Sequence, residues 1–301
     1  MACGKAPPDR KRATPSARTR PSAAASTTRP SCWSRVGWRM RSPGRSPPRP
    51  RRRERVPSVP GYAPAMSGFK AFPRFNDALP DLHLDTRARP GAWVLRWFDG
   101  DGMADKLARA LLTARAVPFK EVLESFEFFE HARRRVRAPV VADLCCGHGL
   151  AGMLYGAFHR DVDRVLLVDR ARPDSVARSL AALGAVAPWL PPKVRFVEGR
   201  VEDVPLPAGA ALLGVHACGG ATDAILDRAL GVGGPVALLP CCHPARALPG
   251  PPTLGRALGT PLATDIHRTY RLDAAGYRTR WSEIPAAITP MNRVIAAWPG
   301  G

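Results

Sequence analysis

From residue 139 onward, short aliphatic runs alternate with longer stretches whose apolar residues recur every three or four positions. The runs at 139–144, 164–169, 194–198, 210–216 and 235–239 are rich in Val and Leu and too short to be helices. Continuous runs of this kind are strands buried on both faces, as in a parallel sheet covered by helices. The intervening pattern predicts helices at about 150–160, 174–183 and 222–230, with a further one near 262–275. Residues 277–284 and 293–298 predict an antiparallel hairpin at the sheet edge. The expectation is an α/β sheet of seven strands occupying residues 138–301, without an internal repeat.

Residues 66–137 predict a short N-terminal helical addition. Pro73, Pro80 and Pro90 make 66–100 irregular, with Trp93, Trp97 and Phe98 packing it onto the domain. Asp101 is placed to cap a helix over 103–115, whose apolar face is Leu107, Leu111 and Leu112. Pro118 suits the first turn of a second helix. There Phe119, Val122, Leu123, Phe126 and Phe129 form a core stripe. Glu121, Glu124, Glu127 and Glu130 fall away from it, and Arg133, Arg134 and Arg135 close the helix, as the dipole favours.

Composition divides the chain. Its formal charge is +20, yet residues 1–65 carry 16 Lys and Arg against 2 Asp and Glu, and 12 of the 33 prolines. Such a segment buries too little apolar surface to offset its ordering entropy, so a disordered arm is expected. It reads as a nucleic-acid-binding arm, as an organelle transit peptide, or as upstream sequence with translation starting at Met66. No apolar run reaches a membrane span of about 18 residues, and no signal peptide is visible. Seven cysteines, an odd number with two vicinal pairs, do not suggest a disulfide framework, so a cytoplasmic location is expected.

Chemistry concentrates where the strands end. Gly147-His-Gly149-Leu-Ala-Gly152 is a G-x-G-x-x-G run between a strand and a helix, which alone also fits a nicotinamide or flavin. Asp143, four residues earlier, separates the two. A carboxylate there repels a pyrophosphate, whereas S-adenosylmethionine presents an ammonium and a sulfonium. Gly147 and Gly149 let the backbone approach a cofactor. Asp169, after the second strand, is placed for ribose hydroxyls. Glu202 and Asp203, after the third, are placed for the adenine amino group, Asp203 ahead of Glu202. Any one of these acids also reads as a solvated loop residue; three in order after three strands favour S-adenosylmethionine.

Asp143–Gly149, Val168-Asp169, His216-Ala-Cys-Gly-Gly-Ala-Thr-Asp223 and Pro240-Cys-Cys-His243 together resemble the methyltransferase-domain superfamily that includes glutathione-S-transferase C-terminal-domain-containing proteins. They are also similar to the eukaryotic acceptor-stem tRNA ribose 2′-O-methylases, whose N-terminal Cys/His zinc modules this chain lacks. The resemblance spans about residues 105–298. It implies a Rossmann-like seven-stranded methyltransferase sheet that binds S-adenosylmethionine.

In that plan strands one, four and five are neighbours, and their ends carry His148, His216, Cys218, Cys241, Cys242 and His243. For a hydroxyl acceptor a base is useful, His216 first and His243 second, with Asp223 orienting a histidine or the acceptor, or only starting a helix. His148 reads equally as a solvated turn residue. The thiols read as lining of the transfer pocket, as zinc ligands together with the histidines, or as small apolar fillers, the last above all for Cys145 and Cys146. No metal ligand is assigned, because vicinal cysteines are poor substitutes for spaced pairs and no C-x-x-C occurs. The expectation is a methyltransferase whose acceptor is open, RNA being favoured over a protein or small molecule. A non-catalytic RNA-binding module and an NAD(P)-dependent oxidoreductase are the alternatives. Oligomeric state is not legible.

Overall fold

Aliphatic runs become strands and the spaced apolar stretches become helices, in the order the pattern predicts. The computed structural model describes residues 68–77, 92–243 and 252–300, so the readings of the arm at 1–65 lie outside the described residues. Five strands run parallel: β1 (Val140–Leu144), β2 (Arg164–Asp169), β3 (Val194–Glu198), β4 (Ala211–Val215) and β5 (Val236–Leu239). β6 (Tyr277–Glu283) and β7 (Arg293–Pro299) pair antiparallel. The sheet order is β3-β2-β1-β4-β5-β7-β6. The predicted hairpin therefore sits with its second strand against β5 and its first at the edge. This is the expected Rossmann-like α/β arrangement. Its order reverses between β1 and β4, which opens a crevice at their carboxyl ends.

Both faces of the sheet are covered, as continuous apolar strands require. Val141, Val165, Leu167, Leu213 and Ala237 face one core with α1 (Met103–Thr113), α2 (Phe119–Ala132), α3 (Leu150–Phe158) and α4 (Asp174–Val186). Alternate residues Ala142, Leu144, Leu166, Leu212 and Leu238 face a second core. It is closed by α5 (Ala221–Val232) and α7 (Thr260–Ala274), while α6 (Pro252–Leu258) has no buried residue. No helix among the described residues is long and apolar enough to cross a membrane.

The N-terminal addition departs from expectation in several places. Pro73–Asn76 and Ala92–Phe98 are 3-10 turns rather than irregular chain, and Trp93 is exposed while Phe98 is buried. Gly102, not Asp101, stands at the N-cap of α1, and Pro118 stands just outside α2. Glu124 and Glu127, off the aromatic stripe, are nevertheless fully buried. The reason is that α2 is covered on more than its aromatic face. Residues 68–77 fold over it, and the Glu127 carboxylate accepts bonds from the amides of Lys70 (2.9 and 3.0 Å) and Ala71 (2.9 Å). Burial pushes this carboxyl up to about 7, against the lowering effect of those amides.

Glu127→Ala leaves two part-buried amides without an acceptor and is expected to cost about 2–4 kcal/mol. Hydrogen exchange should speed up at Lys70 and Ala71, and Glu127→Gln should lose less because it keeps an acceptor oxygen.

Candidate active site

The ends of β1, β4 and β5 lead directly into loops carrying polar groups. After β1 the chain turns through Cys145 (φ 57°), Gly147 (φ 50°) and Gly149 (φ 69°), closed by the Gly149 amide bonding the Cys146 carbonyl at 2.7 Å. After β4, His216 (φ 53°) and Gly219 (φ 63°) also take left-handed backbone. Of the three non-glycine described residues with positive φ, two (Cys145 and His216) lie on this rim. That conformation costs about 1–2 kcal/mol for a residue with a Cβ, and such strain clusters at functional sites.

The two glycines of the turn differ. A Cβ on Gly149 would meet Leu167 Cδ1 at 2.6 Å, so packing against β2 also requires glycine there. A Cβ on Gly147 would meet nothing within 4 Å, and the same is true at Gly219. Gly147 and Gly219 thus border open space at the ends of β1 and β4, the strands that flank the crevice.

Two carboxylates fix the turn from below. Asp169 accepts the Gly147 amide at 2.9 Å and the Arg170 amide at 2.7 Å. Asp143 accepts the Gly152 amide, in the first turn of α3, at 2.9 Å. Asp143, expected to help hold the amino-acid end of the cofactor directly or through water, is only 1% exposed. Its place on β1 directs it to the α3 N-terminus, where amides lack intrahelical partners.

Burial, with a contribution from Asp169, pushes Asp143 up to about 7 despite the Gly152 bond. The Cys145 thiol is driven up to about 11, first by burial and then by Asp169, Asp143 and Glu202, with Arg170 opposing. Burial, then Asp143 and Asp169, raises Cys146 as well. The turn therefore lies in a negative field to which three of the four expected acids contribute. Glu202 and Asp203 are both exposed, and it is Glu202 whose field reaches Cys145.

His216 and His243 each meet a buried carboxylate that the sequence did not single out. His216 Nε2 stands 2.7 Å from Glu124 Oε1, at side-chain exposures of 13% and 0%. Burial raises Glu124, but His216 and Lys120 outweigh it, so the carboxyl is held below its ordinary range. His243 Nε2 lies 3.0 Å from Asp265 Oδ1 on α7. Asp265 also accepts from Arg268 (3.1 Å) and Arg293 (2.7 Å), and His243 and Arg293 lower it against its burial.

Asp223 orients no histidine directly. Its two oxygens receive Arg268 Nε at 3.0 Å and a terminal nitrogen at 2.8 Å. Asp223, Arg268, Asp265 and His243 so form one chain, buried except at Asp223. The spacing of Asp265 and Arg268, three apart on a predicted helix, was the available signal. Nothing local marked Glu124. Among the remaining rim groups, His148 Nδ1 lies 3.1 Å from Ser175 Oγ, and Cys218, Cys241 and Cys242 converge.

A separate pocket of about 480 Å³ is lined by Lys70, His131, Arg134, Arg135, Arg280 and Trp298 among others. It involves the C-terminal end of α2, and Trp298 pairs with Arg278 at the far end of β7 from the rim. The acids and histidines above are not in its lining.

No family model matches the chain, and no curated protein matches it. Solved structures do. An S-adenosylmethionine-dependent methyltransferase from Aquifex aeolicus is 15% identical, covering 58% of this chain and 90% of its own, with a TM-score of 0.39. A 16S rRNA (adenine(1408)-N(1))-methyltransferase from Catenulisporales acidiphilia is 19% identical, over 59% and 91%, with a TM-score of 0.35. The Methanococcus jannaschii fibrillarin pre-rRNA processing protein is 14% identical, over 54% and 67%, with a TM-score of 0.36. At such identities and TM-scores these likenesses decide nothing about the chemistry of this chain, which rests on its own residues.

The raised Asp143 carboxyl has a consequence for stability. The folded state holds its proton up to about pH 7, against an ordinary value of 3.8, so its stabilising effect is complete below about pH 4 and lost as the pH rises to 7 and beyond. Asp143→Asn keeps an acceptor for Gly152 without the charge. Denaturant unfolding should find the variant about 2–4 kcal/mol more stable than the parent at pH 8, with the two converging near pH 4.

Proposed function

We propose that this chain is an S-adenosylmethionine-dependent methyltransferase acting on a hydroxyl of RNA. The observation that carries the reading is the β1 turn, open above Gly147 and held in the field of Asp143, Asp169 and Glu202. That field attracts a cationic amino-acid end and repels a pyrophosphate, which sets the nicotinamide alternative aside. A cofactor of this kind supplies, when bound, a methyl group on a sulfonium, already a strong electrophile. In this reading Asp169 takes the ribose hydroxyls, and Asp203, or Glu202 beside it, takes the adenine edge. Asp143 acts by holding the turn and α3 together.

The remaining task is to align the acceptor and remove its proton. His216 is assigned as the base. Glu124, 2.7 Å from Nε2, stabilises the imidazolium, and Nδ1 is the nitrogen left to take the acceptor proton. His243, held by Asp265, is the second candidate, and Asp223 acts on it through Arg268 and Asp265. A hydroxyl is the acceptor that most needs such a base. The positive balance of the chain favours RNA among hydroxyl-bearing polymers.

A second reading, an RNA-binding module without transfer, rests on the Lys70, Arg134, Arg135 and Arg280 pocket, where cations beside Trp298 suit a phosphate and a stacked base.

Calorimetric titration of the full chain with S-adenosylmethionine should saturate, with affinity about tenfold weaker in Asp169→Asn, a loss near 1.4 kcal/mol. Labelled methyl should pass into an RNA fraction in preference to protein or metabolites. His216→Ala should lower kcat by about 10²–10⁴ while leaving cofactor affinity intact. RNA binding with no label transferred, abolished by Arg134→Ala with Arg280→Ala, would select the second reading. A flat titration by a folded protein that binds a nicotinamide cofactor would overturn both.

A further inference from the structure

We infer that Cys218, Cys241 and Cys242 form a zinc site, with three thiolates as ligands and a fourth position open at the rim. This inference stands apart from the methyl-transfer reading. The three Sγ atoms form a triangle: 3.4 Å between Cys218 and Cys241, 3.6 Å between Cys241 and Cys242, and 3.6 Å between Cys242 and Cys218. In a tetrahedral zinc–thiolate centre with Zn–S near 2.3 Å, the sulfurs stand about 3.8 Å apart, so an ion fits after an outward shift of a few tenths of an ångström.

The backbone brings this about in an unusual way. Successive side chains on an extended strand point to opposite faces. Cys241 and Cys242 instead follow β5 where the chain has left the sheet, and both thiols converge on Cys218 from the loop after β4. The sequence argument against a metal relied on vicinal cysteines being a poor pair. Cys218, more than twenty residues away along the chain, supplies what the pair lacks.

All three cysteines are part-exposed, so an ion can reach them. Among the described residues no histidine, aspartate or glutamate joins the cluster. His243, next after Cys242, has its Nε2 engaged by Asp265. Three protein ligands and one open position are the pattern of a zinc site that accepts an exogenous ligand, rather than a closed structural site. Binding replaces three S–H bonds with three S–Zn bonds and releases up to three protons to solvent; no electron is transferred.

The test is metal analysis of the untagged full chain, produced in zinc-supplemented medium and purified under reductant. One zinc per chain is expected, retained through gel filtration and released by a strong chelator with a fall in Tm. Zinc added back to the apo-protein should release protons. Cobalt in place of zinc should give near-ultraviolet sulfur-to-metal absorption that falls stepwise in Cys218→Ser, Cys241→Ser and Cys242→Ser. Cys145→Ser, Cys146→Ser and the arm variants Cys3→Ser and Cys32→Ser should keep the full metal content. If a single rim variant does not fold, thiol alkylation of the folded parent serves instead, with zinc expected to protect three thiols. Folded, fully reduced protein that takes up no zinc would overturn the inference, and so would zinc retained in the Cys218→Ser, Cys241→Ser double variant. A Cys218–Cys241 disulfide forming in place of metal uptake would equally overturn it.

Discussion

The rim depends on carboxylates bonded to main-chain amides beneath a glycine turn. Asp169 holds Gly147 and Asp143 holds Gly152, so β1, β2 and the start of α3 are tied at one point by two carboxyl–amide bonds. A turn with several left-handed residues has no regular backbone pattern to stabilise it. Here acids on neighbouring strands accept its amides, and the same acids leave it electronegative. The shape of the turn and its charge thus have one cause.

The second organising feature is the pairing of rim histidines with acids from elements distant in sequence. Glu124 comes from the N-terminal addition and Asp265 from α7, yet they meet His216 and His243 at the ends of adjacent strands. The N-terminal helices are therefore part of the candidate chemistry as well as a cover for one face of the sheet. Residues 68–77, bonded to Glu127 one turn further along α2, hold that helix where Glu124 can reach the rim. A buried carboxylate without its partner is costly, so α2, β4 and the His216 loop are energetically linked. The Asp223–Arg268–Asp265 chain does the same for α5, α7 and the His243 loop.

Much of the candidate site was legible because its residues sit at predictable strand ends. Asp143, Gly147, Asp169, His216 and His243 fall there in any parallel sheet with this connectivity. What each side chain does was less legible. Asp143 stands at the expected strand end but is bonded to the Gly152 amide, and Gly149 is also required by its close approach to Leu167. Glu202 and Asp203, adjacent in sequence, are both exposed after β3. Glu124 lies off the aromatic stripe, and helical periodicity, which marks one buried face, carries no information about a second segment folding over the other.

The sequence by itself determined the sheet: aliphatic period, glycine turns and acids after successive strands are local signals, each written within about ten residues. Tertiary structure alone decided the contacts between segments far apart along the chain. Glu124 beside His216, Arg268 between Asp223 and Asp265, and three thiols drawn together from two loops are such cases. The physical reason is that backbone propensity and burial period act between near neighbours. Hydrogen-bond and ion-pair partners are instead chosen by which strands lie side by side, and that order exists only once the sheet has formed.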